Sequence, residues 1–176
     1  MLKPRYFSDP RGYFVETYSV RSAQRAGLTV TFVQDNQSLS LKRGTVRALH
    51  FQVPPKPQAK LVRVVRGSIY DVAVDLRAGS PTYGRWVAET LTAQAGEQLF
   101  IPRGFAHGFC TLAANTEVAY KVDGYYKPEC EQGLAWDDPT LAISWPVRPA
   151  NAVLSDKDRK LGRFADFSSP FRYDDS

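Results

Sequence analysis

The chain contains only two histidines, His50 and His107. An imidazole with its ordinary pKa of about 6.5 can take up or release a proton at neutral pH, which makes both candidates for acid–base chemistry. His50 lies in Arg47-Ala48-Leu49-His50-Phe51-Gln52, an apolar run that ends at Pro54-Pro55-Lys56-Pro57. His107 lies in Ile101-Pro102-Arg103-Gly104-Phe105-Ala106-His107-Gly108-Phe109, where a strand restarts after a glycine turn. Small β-barrels that bind metal usually offer a pair of histidines at alternate positions, a carboxylate and a later histidine. Here the alternate position after His50 is Gln52, so the ligand set is broken and no metal is expected. Taken singly, each histidine also fits a structural residue with its ring satisfied.

Three other segments carry groups of interest. Lys60, in Gln58-Ala59-Lys60-Leu61-Val62-Arg63, interrupts an apolar strand. Buried there, an unpaired ammonium is costly; at an edge, the same side chain snorkels to water. Tyr120 sits in Val118-Ala119-Tyr120-Lys121 with Tyr125-Tyr126 following, and a barrel tyrosine ordinarily packs with its hydroxyl satisfied. In Leu154-Ser155-Asp156-Lys157-Asp158, Ser155 or Asp156 stands where a helix cap would.

The elements that must position these groups are short β-type runs. They cover Tyr13 to Thr17, Val30 to Val33, Val46 to Phe51, Leu61 to Val65, Ile69 to Leu76, Arg85 to Leu91 and Gln98 to Ile101. His107 to Leu112, Glu117 to Val122 and Ala142 to Trp145 follow. Gly44, Gly67, Gly79-Ser80-Pro81, Gly96 and Gly104 punctuate them at intervals of about ten residues, the spacing of an antiparallel sandwich or barrel. Helix is sparse: Val20 to Ala26, closed by Gly27, and Asp156 to Leu161. The fold class is therefore all-β, with one or two short helices.

Length and composition agree. The 176 residues fit one domain over 1–176, and 43% hydrophobic with 23% charged residues suits a globular core rather than disorder. A chain of this size buries about 70% of its unfolded surface without a metal or disulfide staple. Cys110 and Cys130 lie outside any CxxC pattern and read as reduced thiols. Met1-Leu2-Lys3-Pro4-Arg5 lacks a signal peptide's apolar core, and no run approaches the roughly 18 apolar residues of a membrane span. A cytoplasmic protein without a membrane partner is expected. The net charge of +5 is dispersed, which favours a nucleotide or phosphorylated small molecule over a nucleic acid.

Read together, these segments resemble one family. Asp9-Pro10-Arg11-Gly12-Tyr13-Phe14 with Glu16, then Gln34-Asp35-Asn36-Gln37-Ser38, is similar to the opening of the dTDP-4-dehydrorhamnose 3,5-epimerases. So are Arg47 to Gln52, Gln58 to Arg63, Ser80-Pro81-Thr82-Tyr83-Gly84, Ile101 to Phe109 and Tyr120 with Tyr125-Tyr126. Trp136-Asp137-Asp138-Pro139 and Leu154 to Asp158 complete a match that runs in order over residues 5–160. The resemblance implies a cupin-type jelly roll, a homodimer, no metal or other cofactor, and a dTDP-sugar substrate. On the matching positions it implies His50 as general base, Asp158 as the carboxylate orienting it, Tyr120 as general acid and Lys60 as the holder of an enolate oxygen. Arg11, Glu16, Gln34, Asn36, Arg47, Lys60, His107, Glu131 and Lys157 match positions that bind substrate or line its site.

The implied chemistry suits these groups. A C4 ketone acidifies the hydrogens on C3 and C5, so a base on one face and an acid on the other can invert each carbon. A carboxylate fixes the histidine tautomer, and a lysine aimed at the oxyanion is worth several kcal/mol, since losing one such donor costs about 3 kcal/mol. A phenol can return the proton. Arg11 and Arg47 offer forks for a diphosphate. The expected reaction converts dTDP-4-dehydro-6-deoxy-D-glucose to dTDP-4-dehydro-L-rhamnose for polysaccharide synthesis. The alternatives are a single-position epimerase, a 3,4-ketoisomerase of a related sugar, a non-catalytic binding cupin and a metal-dependent oxygenase.

The chain also departs from the family. Its relatives usually carry more residues before Pro4-Arg5, so a first strand is expected to be missing or shortened. Ala48 stands where glycine is usual, and Asp123-Gly124 replaces a Thr-Asp type pair. A strict period of two puts Arg47 and His50 on opposite faces of a strand, so serving one site requires a bulge or a reach across the dimer. The choice of Asp158 over Asp156 rests on the Ser-x-Lys/Arg-Asp pattern alone.

Overall fold

A computed structural model describes residues 1–173. Strand β1 (Tyr6–Asp9) and β2 (Gly12–Val15) form a hairpin, followed by helix α1 (Val20–Arg25). Nine strands come next: β3 (Gln34–Ser40), β4 (Val46–Gln52), β5 (Lys60–Arg66), β6 (Ser68–Asp75), β7 (Trp86–Thr92), β8 (Gln98–Ile101), β9 (Phe105–Thr111), β10 (Thr116–Val122) and β11 (Glu131–Leu134). They build a four-stranded sheet, β3-β10-β5-β8, and a five-stranded sheet, β11-β4-β9-β6-β7, with every pairing antiparallel. The expected all-β sandwich of the cupin type is what the chain forms.

The inner core lies between the sheets. Val62 and Val64 of β5, Leu99 and Ile101 of β8 and Val118 of β10 meet Ile69 and Ala73 of β6, Leu91 of β7 and Phe109 of β9. Their alternation follows from the pleat, which sends successive side chains to opposite faces. The outer face of the five-stranded sheet is buried too. Leu49, Phe51, Val72, Val74 and Ala106 pack there beneath Leu141, Trp145, Phe164, Phe167 and Phe171 from the C-terminal segment. Helix α1, capped by Ser19 accepting from Ser22 N–H at 3.2 Å, covers the outer face of the other sheet, where its Ala23 and the following Leu28 pack with Leu61 of β5.

One irregularity decides the site. In β4, Val46 and Ala48 face the outer layer, and so do Leu49 and Phe51. The parity breaks because the β4–β9 register shifts between Arg47 and His50, a β-bulge. Arg47 before the bulge and His50 after it therefore share the inner face. Gly108 lies opposite on β9, where a Cβ would stand 2.8 Å from the Arg47 carbonyl oxygen, so the close approach requires glycine.

Several boundaries differ from the sequence expectation. Ahead of Pro4-Arg5 there is no full strand, only an isolated bridge in which Leu2 pairs with Gln98, and β1 begins after it at Tyr6. Val30 to Val33 is extended but unpaired as a strand, and pairing starts at Gln34. Ala142 to Trp145 is not a strand: Ala142 has φ 47°, which a strand does not admit, and Trp145 Nε1 donates to the Trp136 carbonyl at 2.6 Å. The second expected helix is a single 3-10 turn, Asp158–Lys160. Among the described residues no helix is long and apolar enough to cross a membrane.

Candidate active site

A cavity of about 660 Å³ opens between the two sheets. The four-stranded sheet contributes Gln34 and Asn36 from β3, Lys60 from β5 and Tyr120 from β10. The five-stranded sheet contributes Arg47 and His50 from β4, His107 from β9 and Glu131 from β11, and the C-terminal segment adds Lys157 and Asp158. Ten of the residues matched by resemblance thus converge. Arg11 and Glu16 do not. They belong to the β1–β2 ribbon and its exit, and that ribbon pairs with neither sheet. Arg11 is exposed and grips Asp9 at 2.6 Å, while Glu16 accepts from Ser19 and Ser22 hydroxyls at 3.0 and 2.7 Å. Neither lines the cavity of its own chain, which corrects the expectation for a single subunit.

His50 Nε2 lies 2.8 Å from Asp158 Oδ1. The carboxylate can only accept, so Nε2 carries the proton and Nδ1 is left with its lone pair. Asp158 is itself fixed: Oδ2 accepts the Ala48 N–H at 3.2 Å, and its own N–H donates to Ser155 Oγ at 3.1 Å. Ser155 thus fastens the turn leading into the 3-10 helix, but the residue at the helix N-terminus is Lys157, which makes no side-chain cap, and Asp156 is exposed. Burial alone would raise the Asp158 pKa, but the His50 and Ala48 contacts outweigh it and hold the carboxyl below its usual range.

Lys60 is buried, not a snorkelling edge residue, and its Nζ donates to the His50 carbonyl at 3.2 Å. Desolvation pulls its pKa down to about 8, against the upward pull of Asp71 and Glu131. Tyr120 lies across from Asn36 and Val62. Its phenol is pushed up by burial, with Arg47 lowering and Glu131 raising it, so it remains protonated. His107 is sealed beneath, with Nε2 at 2.6 Å from Asp71 Oδ1, and burial lowers its pKa in spite of that partner.

Sequence reasoning missed Asp71, although the signal that singled out Lys60 applies to it equally: a charge inside the apolar strand β6. It also missed Gln52 as a fastener. Gln52 Oε1 accepts from Lys127 N–H at 2.7 Å and Nε2 donates to the Lys56 carbonyl at 2.7 Å, tying both loops at the cavity rim. Asp123, uninterpreted from sequence, accepts from Ala59 N–H at 2.7 Å and Arg103 Nε at 2.8 Å, which fixes the backbone beside Lys60. Among the described residues no three His, Cys, Asp or Glu side chains are grouped as a metal would require.

Comparison with known proteins bears on this cavity as a whole. Residues 1–166 match the family model described as dTDP-4-dehydrorhamnose 3,5-epimerase. A Sinorhizobium fredii protein of that name is 48% identical over 98% of this chain and 88% of its own length. A Bacillus anthracis structure with TDP and pyrophosphate bound is 51% identical, covers 92% of this chain and 91% of its own, and superposes with a TM-score of 0.89. The Legionella pneumophila dTDP-6-deoxy-D-glucose-3,5-epimerase, solved with dTDP-4-keto-L-rhamnose, is 41% identical over 98% of this chain and 92% of its own, with a TM-score of 0.91. The chain belongs to the dTDP-4-dehydrorhamnose 3,5-epimerase family.

Proposed function

We propose that this protein inverts C3 and C5 of dTDP-4-dehydro-6-deoxy-D-glucose, giving dTDP-4-dehydro-L-rhamnose with no cofactor. The observation that carries the reading is one cavity lined by a histidine, an ammonium and a protonated phenol from three different strands. His50 Nδ1 removes the proton from a carbon next to the ketone, while Asp158 steadies the imidazolium that forms. Lys60 supplies positive charge for the enolate oxygen, in a setting where burial strengthens the interaction. Tyr120 returns a proton to the carbon from the other face. Gln34, Asn36, Arg47 and Lys157 bind or orient the nucleotide sugar, with Glu131 set beside His50 and His107 held behind by Asp71, and the arginine fork of Arg47 suits its diphosphate.

A homodimer is part of the same proposal. The ribbon carries Phe7, Tyr13 and Phe14 exposed, a surface that a second subunit would cover. Such an arrangement would also give Arg11 and Glu16 a cavity to reach. A cytoplasmic location is proposed with it, in keeping with Cys110 and Cys130 both being unbridged.

The test is incubation with the substrate in D2O, with deuterium read at C3 and C5 by NMR. Label at both carbons, and a rhamnose configuration after reduction, is the expected result. Label at one carbon alone reassigns the chain to single-position epimerisation, a 3-keto product to ketoisomerisation, and no label rejects the reading.

A further inference from the structure

His50 has one nitrogen whose surroundings the reaction above does not account for. Nε2 is committed to Asp158, but Nδ1 has no hydrogen bond and is shut off from water. A second carboxylate faces it: Glu131 Oε1 stands 3.6 Å away. Glu131 is gripped from its far side, where Oε2 accepts from Tyr126 Oη at 2.5 Å and pairs with Lys157 Nζ at 2.7 Å. The Lys157 side chain is 60% exposed. The series His50, Glu131, Lys157 therefore leads from a sealed nitrogen to solvent.

Double epimerisation makes a demand that one inversion does not. Each removal leaves His50 as an imidazolium, and that ring cannot take a second proton until the first has gone. Protons returned by a phenol on the opposite face do not restore it, and the Tyr120 phenolate that each donation leaves takes its proton back from water in the cavity. With water excluded from Nδ1, some group must carry the charge away. Glu131 is held ionised, because its contacts with Lys157 and Tyr126 outweigh the effect of burial and keep its pKa below the usual range. A proton on it is short-lived and passes on.

We propose that Glu131 resets the base: the Nδ1–H bond of the His50 imidazolium breaks, an O–H bond forms at Glu131 Oε1, and the proton then leaves to water beside Lys157. Only a proton moves, and the carboxylate regains its charge. The inference rests on His50 being the base. Glu131 acts through His50 rather than on the sugar, and its contacts with Tyr126 and Lys157 keep it in place.

The experiment follows deuterium entry at C3 and C5 over time in D2O for the full chain, comparing wild type, Glu131→Gln and Glu131→Asp. Glutamine keeps an oxygen for Tyr126 but cannot carry the proton. The expected result for Glu131→Gln is a first exchange near the wild-type rate, a second slowed by at least about tenfold, and accumulation of singly exchanged sugar. Glu131→Asp should recover part of the second step. Equal rates at both carbons in Glu131→Gln, equal slowing of both, or an aspartate variant no better than glutamine would each overturn the proposal. Wild-type exchange in His50→Ala would instead reject the base assignment, so the two failures are told apart.

Discussion

His50 and His107 face each other across the β4–β9 pair, and each binds an aspartate through Nε2. The two pairs are chemically alike but differ in what surrounds them. His50 and Asp158 have side-chain exposures of 24% and 7%, against 7% and 0% for His107 and Asp71. Asp158 opens a 3-10 turn and has a backbone N–H as second partner, whereas Asp71 comes from a central strand and leaves Oδ2 without one. A base must gain and lose charge in every cycle, which a sealed pair resists. Burial, rather than the identity of the residues, separates the base from the structural partner.

The largest effect should come from removing each histidine in turn. His50→Ala should lower turnover by about 10³-fold or more while leaving the melting temperature near wild type, because the site is open to the cavity. His107→Ala leaves Asp71 a buried carboxylate with no hydrogen-bond partner, and that should cost about 3–5 kcal/mol in denaturant unfolding. If both variants lose activity and stability alike, the distinction between the two pairs fails.

A smaller effect separates the aspartates. Asp158→Asn puts an amide where Nε2–H needs a carboxylate, so His50 loses both its tautomer preference and the stabilisation of its imidazolium. Turnover should fall by roughly 10²-fold, with substrate KM changed little, as steady-state kinetics would show. Turnover within twofold of wild type would remove Asp158 from the mechanism.

The contrast between the pairs was only half legible in the sequence. The inner strands could be read from alternating apolar residues and glycine turns, and Val62, Val64, Ile69 and Val118 lie where that pattern puts them. The convergence of His50, Lys60 and Tyr120 came from motif resemblance, because no local pattern relates residues on β4, β5 and β10. The β4 bulge was legible only as a conflict of parity between Arg47 and His50. Its cause, the missing Cβ of Gly108 on the neighbouring strand, is a contact between residues far apart in the chain. Strand β11 escaped notice because four residues, one of them Gly133, carry too little periodicity. Arg11 and Glu16 matched by motif yet lie outside their own chain's cavity, and a motif match carries no information about which subunit is served.

The subtlest consequence of the sealed pair is electrostatic and reaches the open one through Lys60. Burial lowers the Lys60 pKa to about 8, and Asp71 is the foremost of the charges holding it up. As pH rises through that value the free enzyme loses its ammonium and with it the charge facing the enolate oxygen. The ratio kcat/KM, which reports groups of the free enzyme, should therefore decline above about pH 8. Asp71→Asn removes the supporting negative charge but keeps an oxygen for His107 Nε2, so the decline should begin at lower pH. The sign is fixed by Coulomb's law, since a buried cation deprived of its counter-charge gives up its proton more readily. An alkaline limb that stays put in Asp71→Asn would mean that the sealed pair is silent toward Lys60 and acts on the cavity through packing alone.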